Sequence, residues 1–230
     1  MSPVLLSIAV IALTALSGFL FYASYSISSG IYVKAFCKAN TPRKVVALTF
    51  DDGPDPNTPA VLDVLARHHA QAAFFCIGRK AAEFPDLVKR MVSEGHLVGN
   101  HSYCHGGTFP LFSPQRIASD LRLCNDTLTE ITHAPINYFR PPFGVTNPLI
   151  SKALRQFHFE VIGWSIRSYD TMGAEPQKVA RRIIRQLRPG SVILLHDRLP
   201  RTPEVLELLF EEFTKSGYQV IRIDQMEKEI

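Results

Sequence analysis

The chain has 230 residues, of which 46% are hydrophobic and 20% are charged, and this balance excludes a disordered or low-complexity protein. Its formal net charge is +4 and its lysines and arginines form no block, so the charge pattern does not indicate a nucleic-acid partner. The four cysteines lack the spacing of a CxxC motif or a zinc ribbon. We expect free thiols, and the redox compartment stays open.

The first predicted element is an apolar helix at the N-terminus. No charged side chain precedes Lys34, and residues 4–23 form an apolar run as long as the roughly 20 residues that cross a hydrocarbon core. A signal peptide would carry a positive n-region and a small-residue cleavage site; the first is missing here and the second is poorly defined. We therefore expect residues 1–33 to be an uncleaved single-pass anchor in a bacterial inner membrane, with a cleaved signal segment as the alternative.

Four positive side chains follow the apolar run, and residues 34–44 are predicted to be a basic linker. The four are Lys34, Lys38, Arg43 and Lys44, whereas only the α-amino group precedes the run. Taken literally, the positive-inside rule places the rest of the chain in the cytoplasm. One short segment is a thin basis for that rule, so the side of the membrane is left open.

Predicted strands and helices alternate from residue 45 to the end. Strands are predicted at residues 45–50, 72–77, 96–98, 137–139, 159–164, 191–195 and 218–223. Helices are predicted at residues 58–69, 79–94, 113–132, 147–157, 175–187 and 203–216. Such alternation indicates parallel strands joined by crossover helices, in either a barrel or a doubly wound sheet. Residues 45–230 are therefore predicted to form one α/β domain.

Four of the predicted strands end in residues that can do chemistry. The blocks are TFDDGP at residues 49–54, HSYCH at 101–105, RPPFG at 140–144 and LLHD at 194–197. Each block alone is compatible with an ordinary turn, a stiff loop or a pair of surface histidines. Because parallel strands end at one edge of a sheet, the blocks together combine two histidines and a carboxylate suited to a divalent metal. They also offer a second carboxylate as a base and a further histidine as an acid.

These four blocks occur in an order that resembles the polysaccharide deacetylase family, which is the NodB-homology domain of carbohydrate esterase family 4. The resemblance covers about residues 43–225. It implies that residues 45–230 are a catalytic domain with the α/β fold of a distorted (β/α) barrel of fewer than eight strands. It also implies metal-dependent hydrolysis of the N-acetyl group of an amino sugar, with release of acetate.

The resemblance also implies a role for each matching residue. The implied metal ligands are Asp52, His101 and His105. The implied catalytic groups are Asp51 as base, Arg140 as the partner that holds the base, His196 as acid, Asp170 as the residue that orients the acid, and the backbone amide of Phe143 as oxyanion donor. Leu194 is expected to pack against the acetyl methyl group, and Pro142 to contact substrate. Zinc is the expected metal, although this ligand set also accepts cobalt, nickel or manganese.

One block departs from the family pattern. Where many members have Asp-x-x-Asp-Trp, this chain has Arg-Ser-Tyr-Asp-Thr at residues 167–171, so the family's tryptophan, on which sugars stack, is replaced by Thr171. Arg167 is predicted to meet an anionic group of the substrate, with pairing to a nearby surface carboxylate as the alternative. Trp164, the single tryptophan, is expected in the core rather than as a substitute platform.

Three classes of function are compatible with these observations. The first is an amidase acting on N-acetylated glycans at a membrane, either chitin-like or peptidoglycan. The second keeps the chemistry but acts on a lipid-linked acylated or formylated amino sugar, or on the esters of acetylated xylan. The third is a non-catalytic glycan-binding protein, against which the full set of ligands, base and acid argues.

Overall fold

Eight short strands, all paired in parallel, form the sheet of the computed structural model, which describes residues 2–229. In chain order they are β1 (Val45–Asp51), β2 (Ala73–Cys76), β3 (Leu97–Asn100), β4 (Tyr138–Phe139), β5 (Glu160–Val161), β6 (Ile166–Arg167), β7 (Ser191–His196) and β8 (Gln219–Val220). The parallel pairing confirms the alternation of strands and helices predicted above.

Nine α-helices occur within the described residues 2–229. They are α1 (Pro3–Tyr25), α2 (Thr58–Arg67), α3 (Gly78–Glu83), α4 (Pro85–Ser93), α5 (Pro114–Thr132), α6 (Pro148–Leu154), α7 (Pro176–Gln186), α8 (Thr202–Ser216) and α9 (Ile223–Met226). Many begin with proline in the first turn, because the missing N–H is one that has no helical partner there.

The strand order is β5-β4-β3-β2-β1-β7-β6, and β8 pairs with the first residues of β1 off this path. Seven strands therefore follow the curl of the sheet, with helices around it. This confirms the predicted distorted barrel of fewer than eight strands, and it excludes the doubly wound alternative that the residue pattern left open.

Three predicted elements were wrong in their extent. The strand predicted at residues 218–223 is only Gln219–Val220, and Ile223 begins α9. The helix predicted at residues 79–94 is broken into α3 and α4, because Pro85 cannot donate a helical hydrogen bond and disfavours the helical conformation of Phe84 before it. The strand predicted at residues 159–164 ends after Val161. The chain then leaves the sheet and returns as the unpredicted β6, which pairs with β7.

Side-chain alternation along β1 separates two apolar layers. Val46, Leu48 and Phe50 pack in the large cluster between the sheet and the outer helices, which include α2 and α8. Val45 and Ala47 pack in a second cluster on the inner side of the curl. Because successive side chains of a strand point to opposite faces, the inner row of each strand leads to the mouth of the barrel.

Residues 34–44, predicted as a basic linker, lie against the barrel. Phe36 forms a bridge with Ile162, just beyond the edge strand β5, and Lys38 forms one with Ser191 at the start of β7. Ala39 is fully buried in the inner cluster. This segment therefore covers part of the opening that the curled sheet leaves between its edges.

The N-terminal helix α1 contains the whole predicted apolar run. It has 23 residues and a mean hydropathy of 2.5 in its most apolar window, and that window is exposed to solvent on every side. At 1.5 Å per residue its length is about 34 Å, which matches the thickness of a hydrocarbon core. By length and composition α1 could be a membrane span or a signal sequence.

Candidate active site

The inner rows of β1 and β7 end in the polar residues of the candidate site. Ile193 and Leu195 of β7 belong to the outer cluster, so Leu194 and His196 face inwards. On β1 the inner row ends at Asp51, which is the register partner of His196. The sheet thus brings together a carboxylate and a histidine that are far apart in the sequence.

A pocket of about 210 Å³ at this end of the barrel gathers most of the predicted site residues. Those on its wall are Asp51, Asp52, His101, His105, Phe143, Arg167, Leu194 and His196. Three more, Arg140, Asp170 and Pro142, are buried next to this pocket and do not line it. The structure therefore brings the predicted residues into one site: eight of them line the pocket, and three are buried behind its wall.

Asp52, His101 and His105 form a cluster whose candidate ligand atoms all lie within 4.8 Å of one another. The Nε2 atoms of His101 and His105 lie 3.6 Å and 3.4 Å from Oδ1 of Asp52. Nδ1–H of His101 donates to the carbonyl of Arg140 at 2.7 Å, which leaves the Nε2 lone pair of His101 directed at the cluster. Three donors therefore converge on one point.

The chemistry of these donors fits a divalent cation. Nε2 of His105 is buried and has no hydrogen-bond partner among the described residues, which is costly for a polar atom unless something binds it. Burial and the neighbouring His101 lower the pKa of His105 to about 4, so its imidazole is neutral at pH 7 and keeps a lone pair. Burial opposes the ionisation of Asp52, but the imidazoles around it and Arg198 outweigh burial and lower its pKa to about 2. Two imidazoles and one carboxylate form the facial set that leaves coordination positions open.

Asp51 is held by a fully buried arginine. Nη1 of Arg140 donates to Oδ1 of Asp51 at 2.8 Å and to Oγ1 of Thr49 at 2.8 Å. Its Nε and Nη2 donate to the carbonyls of Ile162 and Gly163 at 3.0 Å and 2.7 Å. Burial lowers the pKa of Arg140, although the adjacent Asp51 opposes this effect. The four hydrogen bonds fix the guanidinium, and Oδ2 of Asp51 remains free to face the pocket, 3.8 Å from Nε2 of His101.

His196 is oriented by Asp170 through two hydrogen bonds. Nδ1–H of His196 donates to Oδ1 of Asp170 at 2.8 Å, and the backbone N–H of His196 donates to Oδ2 at 2.9 Å. Burial alone would lower the pKa of His196, but the hydrogen bond and charge of Asp170 outweigh burial and raise it. Nε2 of His196 lies 3.9 Å from Oδ2 of Asp52, so the free side of the ring faces the pocket.

Phe143 stands at the rim of the pocket in a left-handed backbone conformation, with φ of 61°. Its ring lies 4.8 Å from the ring of His105, and its backbone N–H donates to no acceptor within residues 2–229. The next residue, Gly144, packs directly against Trp164, and a Cβ atom there would overlap the indole. Trp164 lines the pocket and is only half-buried, so the expectation that it lies in the core was wrong. It lies outside the core because the chain has already left β5.

Arg167 lies on the pocket wall without an acidic partner. Its guanidinium carbon is 5.8 Å from the centre of the Trp164 ring and 5.1 Å from that of Tyr169. Among the described residues none brings a carboxylate oxygen within 4.0 Å of the guanidinium, which excludes the predicted alternative of a surface ion pair within that part of the chain. Thr171, in place of the family's tryptophan, lines the same pocket.

Three residues that support the site were missed in the sequence. Arg198 donates to Oδ2 of Asp52 at 2.9 Å, and Nζ of Lys80 donates to the backbone carbonyl of Asp52 at 2.9 Å. Asp120 on α5 accepts from the backbone N–H groups of Tyr103 and Cys104 at 2.7 Å and 3.1 Å, which fixes the loop between the two histidines. Only Arg198 lies near a block that the sequence singled out.

Comparisons of sequence find relatives among the polysaccharide deacetylases. The family model for polysaccharide deacetylase matches residues 38–162. The peptidoglycan-N-acetylmuramic acid deacetylase PdaA of Bacillus subtilis is 34% identical over 203 residues, which are 85% of this chain and 77% of that protein. A peptidoglycan-N-acetylglucosamine deacetylase of Bacillus cereus is 32% identical over 195 residues, which are 80% of this chain and 88% of that protein.

Solved structures with the same fold include both an enzyme and a pseudoenzyme. The peptidoglycan deacetylase PdaC of Bacillus subtilis is 29% identical with a TM-score of 0.76, over 82% of this chain and 92% of that one. A pseudoenzyme of carbohydrate esterase family 4 from Bacillus anthracis is 27% identical with a TM-score of 0.77, over 84% of this chain and 68% of that one. With the family model matching more than half of its residues, this chain belongs to the polysaccharide deacetylase family.

Proposed function

We propose that this chain is a metal-dependent deacetylase that removes N-acetyl groups from amino-sugar residues of a glycan of the peptidoglycan type. The observation that carries the proposal is the convergence of Asp52, His101 and His105, whose buried Nε2 has no hydrogen-bond partner among the described residues. This cluster lies between a carboxylate held by Arg140 and a histidine held by Asp170. The names of the relatives, which are deacetylases of peptidoglycan, support the choice of glycan.

Asp52, His101 and His105 would hold the metal. When bound, a divalent ion supplies a Lewis acid that polarises the amide carbonyl and makes water acidic near neutral pH. Two imidazoles and one carboxylate are ligands that zinc favours, and cobalt, nickel and manganese accept the same types. Arg198 would keep Oδ2 of Asp52 occupied, so that Oδ1 is the oxygen presented to the ion.

Asp51 would act as the general base. Its Oδ1 accepts a hydrogen bond from Arg140, and its Oδ2 is free to take a proton from the attacking water. The backbone N–H of Phe143 would stabilise the oxyanion that forms on the carbonyl oxygen when water adds to the carbonyl carbon, and one such donor is worth roughly 3–4 kcal/mol in known enzymes. Leu194 would contact the acetyl methyl group, and the contact of Pro142 with substrate stays a prediction.

His196 would act as the general acid. The amine cannot leave as an anion, so the nitrogen must receive a proton as the bond to carbon breaks. Because Asp170 raises its pKa, His196 stays protonated to a higher pH than an ordinary histidine. Its Nδ1–H is held by Asp170, so Nε2 is the atom that would deliver the proton.

We also propose that α1 anchors this domain in the bacterial inner membrane. Its apolar surface and its length of 23 residues support a span. A fusion of a topology reporter to the C-terminus would identify the side on which the pocket lies. An external signal is expected if polymerised peptidoglycan is the substrate, and a cytoplasmic signal would favour the lipid-linked amino sugar instead.

We expect His101→Ala to lose both bound metal and activity. The experiment uses the full chain purified in detergent, with elemental analysis of the metal and measurement of acetate released from N-acetylglucosamine oligomers and from peptidoglycan fragments. Metal affinity should fall by more than about 100-fold, because one of three protein ligands is removed. His158→Ala, at an exposed position, is the matched control and should behave as wild type.

The same experiment separates the alternatives. Acetate release that requires metal would support the proposal. Metal binding without release of acetate from either glycan would contradict the proposed glycan substrate. It would favour a lipid-linked amino sugar or an ester as the substrate. If the wild-type protein neither binds metal nor releases acetate, that result would favour the alternative that the chain is a non-catalytic glycan-binding protein.

A second candidate substrate is an amino sugar that carries an anionic group. The observation that favours it is Arg167, whose guanidinium lies on the pocket wall without an acidic partner in the described chain. An unpaired guanidinium in a pocket can bind a carboxylate or a phosphate through two parallel hydrogen bonds. Muramic acid without a stem peptide fits this description, because its lactyl ether then carries a free carboxylate.

Arg167→Ala should therefore distinguish anionic from neutral substrates. We expect kcat/KM to fall by about 10- to 100-fold on a muramic acid substrate, as for loss of one charge-assisted hydrogen-bond pair, and by less than about twofold on a neutral glucosamine oligomer. Arg185→Ala, on the exposed face of α7, is the control. An equal loss on both substrates would contradict an anion-binding role and leave Arg167 as a wall of the pocket.

A further inference from the structure

The end of α1 is built into the surface of the catalytic domain. Ala23 is fully buried, although the helix before it is exposed along its whole length. The carbonyl of Ser24 accepts the backbone N–H of Thr146 at 2.9 Å, and the carbonyl of Ala23 accepts the hydroxyl of Thr146 at 3.4 Å. The helix therefore does not end in a free tether but is hydrogen-bonded to the domain.

The residues that follow α1 reach the layer behind the active site. Ile27 is 4% exposed, and a Cβ atom at Gly163 would lie 3.1 Å from Cγ2 of Ile27. The carbonyl of Gly163 is one of the acceptors of Arg140, which holds Asp51. Ile27 thus covers the outside of the segment that positions the buried arginine.

The contact between α1 and the domain lies beside the pocket. Thr146 is three residues beyond Phe143, which stands at the rim of the pocket. The next residue, Asn147, donates from Nδ2 to the carbonyl of Pro110 at 2.6 Å. The point where α1 leaves the domain is therefore joined through one loop to the mouth of the barrel.

Exposed apolar side chains flank this point. Leu111 is 77% exposed next to Pro110, Leu149 is 38% exposed in the first turn of α6, and Phe143 is 45% exposed at the rim. Ile31, shortly after α1, is 43% exposed. These four residues form what we call the apolar rim. Isolated exposed apolar residues need no explanation, but this group adjoins the end of a helix that is long and apolar enough to span a bilayer.

We propose that α1 is retained as a membrane span and that the apolar rim lies in the headgroup region of the bilayer, so that the mouth of the barrel faces the membrane surface. If α1 were removed as a signal segment, the surface of the domain that Ala23 covers would be exposed, and the backbone N–H of Thr146 would lose its acceptor, the carbonyl of Ser24. Apolar side chains beside a span gain free energy by entering the boundary between headgroups and acyl chains. The glycan that reaches this pocket would then lie close to the bilayer.

The first test is the N-terminus of the full chain, expressed in a bacterial host and recovered from the membrane fraction. N-terminal sequencing and intact mass should show that α1 is retained. A mature protein that begins anywhere within residues 24–40 would overturn the proposal. Ile27→Ala should also lower the melting temperature by about 5–10 °C, because it removes a buried side chain, whereas Ile31→Ala should not. Equal melting temperatures for the two variants would overturn the docking of this segment.

The second test locates the apolar rim relative to the lipid. Leu111→Trp is reconstituted as the full chain into phosphatidylglycerol–phosphatidylethanolamine vesicles that contain lipids brominated near the headgroup. Val92→Trp is the matched control, because Val92 is also an apolar residue with an exposed side chain (38%). It lies near the end of α4, shortly before β3 begins, and is therefore at the end of the barrel opposite to the pocket. After subtraction of the Trp164 signal, we expect quenching at position 111 at least about threefold stronger than at 92. Equal quenching at the two positions would overturn the orientation.

Discussion

Asp51→Asn is expected to lower kcat by about 10³-fold while the bound metal stays at the wild-type level, since general base catalysis typically contributes 10²- to 10⁴-fold. Asparagine keeps the shape of the side chain and still accepts the hydrogen bond from Arg140 through its carbonyl oxygen. It cannot take a proton at neutral pH. The cluster of Asp52, His101 and His105 is left unchanged, so metal binding and catalysis should separate in this variant. Kinetics of acetate release and elemental analysis of the same sample provide the two measurements.

The control for this prediction is Asp86→Asn, because Asp86 has a side chain 92% exposed on α4. It should retain wild-type kcat and wild-type metal content. A tenfold or smaller loss of kcat for Asp51→Asn would contradict the role of Asp51 as the base. A parallel loss of metal would instead show that Asp51 helps to hold the ion, a possibility that its distance of 3.8 Å from Nε2 of His101 makes worth measuring.

Arg140→Met is expected to lower the free energy of unfolding by about 3–5 kcal/mol, which is the usual cost of removing one partner of a buried ion pair. Arg140 is 0% exposed, and its four hydrogen bonds join the side chains of Thr49 and Asp51 to the carbonyls of Ile162 and Gly163. Methionine fills much of the volume but satisfies none of these acceptors, and it leaves the carboxylate of Asp51 without its cation. Urea unfolding of the domain in detergent, followed by far-UV circular dichroism, measures the change.

Arg140→Lys provides a variant that should fold if Arg140→Met does not. Lysine keeps the charge but offers one compact ammonium group, so it cannot reach all four acceptors of the guanidinium. We expect an intermediate loss of stability and a loss of kcat, because Oδ1 of Asp51 is no longer held in place. Arg155→Ala, on the exposed surface beyond α6, is the control and should change neither quantity. Wild-type stability in Arg140→Met would contradict a structural role for the buried ion pair.

Much of the candidate site could be predicted because its residues follow strands. Each block stands immediately after a buried apolar segment, and parallel strands end at the same edge of a sheet. The alternation of β1 then dictates that Asp51 faces inwards, two residues beyond Thr49 and four beyond Ala47. By the same alternation along β7, Leu194 and His196 face the pocket. These features depend on local pattern and on the period of a strand, both of which are visible in one sequence.

Other features could not be predicted because they depend on contacts between distant residues. Lys80 on α3 and Arg198 in the loop before α8 bind Asp52, and Asp120 on α5 fixes the loop between the two histidines. A charged residue on a predicted helix or loop gives no signal of which backbone group it will meet. The break at Pro85, by contrast, carries a signal in the sequence, since proline disfavours the helical conformation of the residue before it.

The sequence by itself therefore determined the fold class, the apolar N-terminal helix and the identity of the groups available for chemistry. Only the tertiary structure decided that Nε2 of His105 is buried without a hydrogen-bond partner among the described residues, and that Arg167 has no carboxylate beside it in the same part of the chain. It also decided that Ala23 and Ile27 are packed into the domain. The physical reason is the same in each case. Strand period and strand ends are local properties of the chain, whereas burial, satisfaction of a polar atom and docking of a helix are decided by segments that meet only when the sheet has curled.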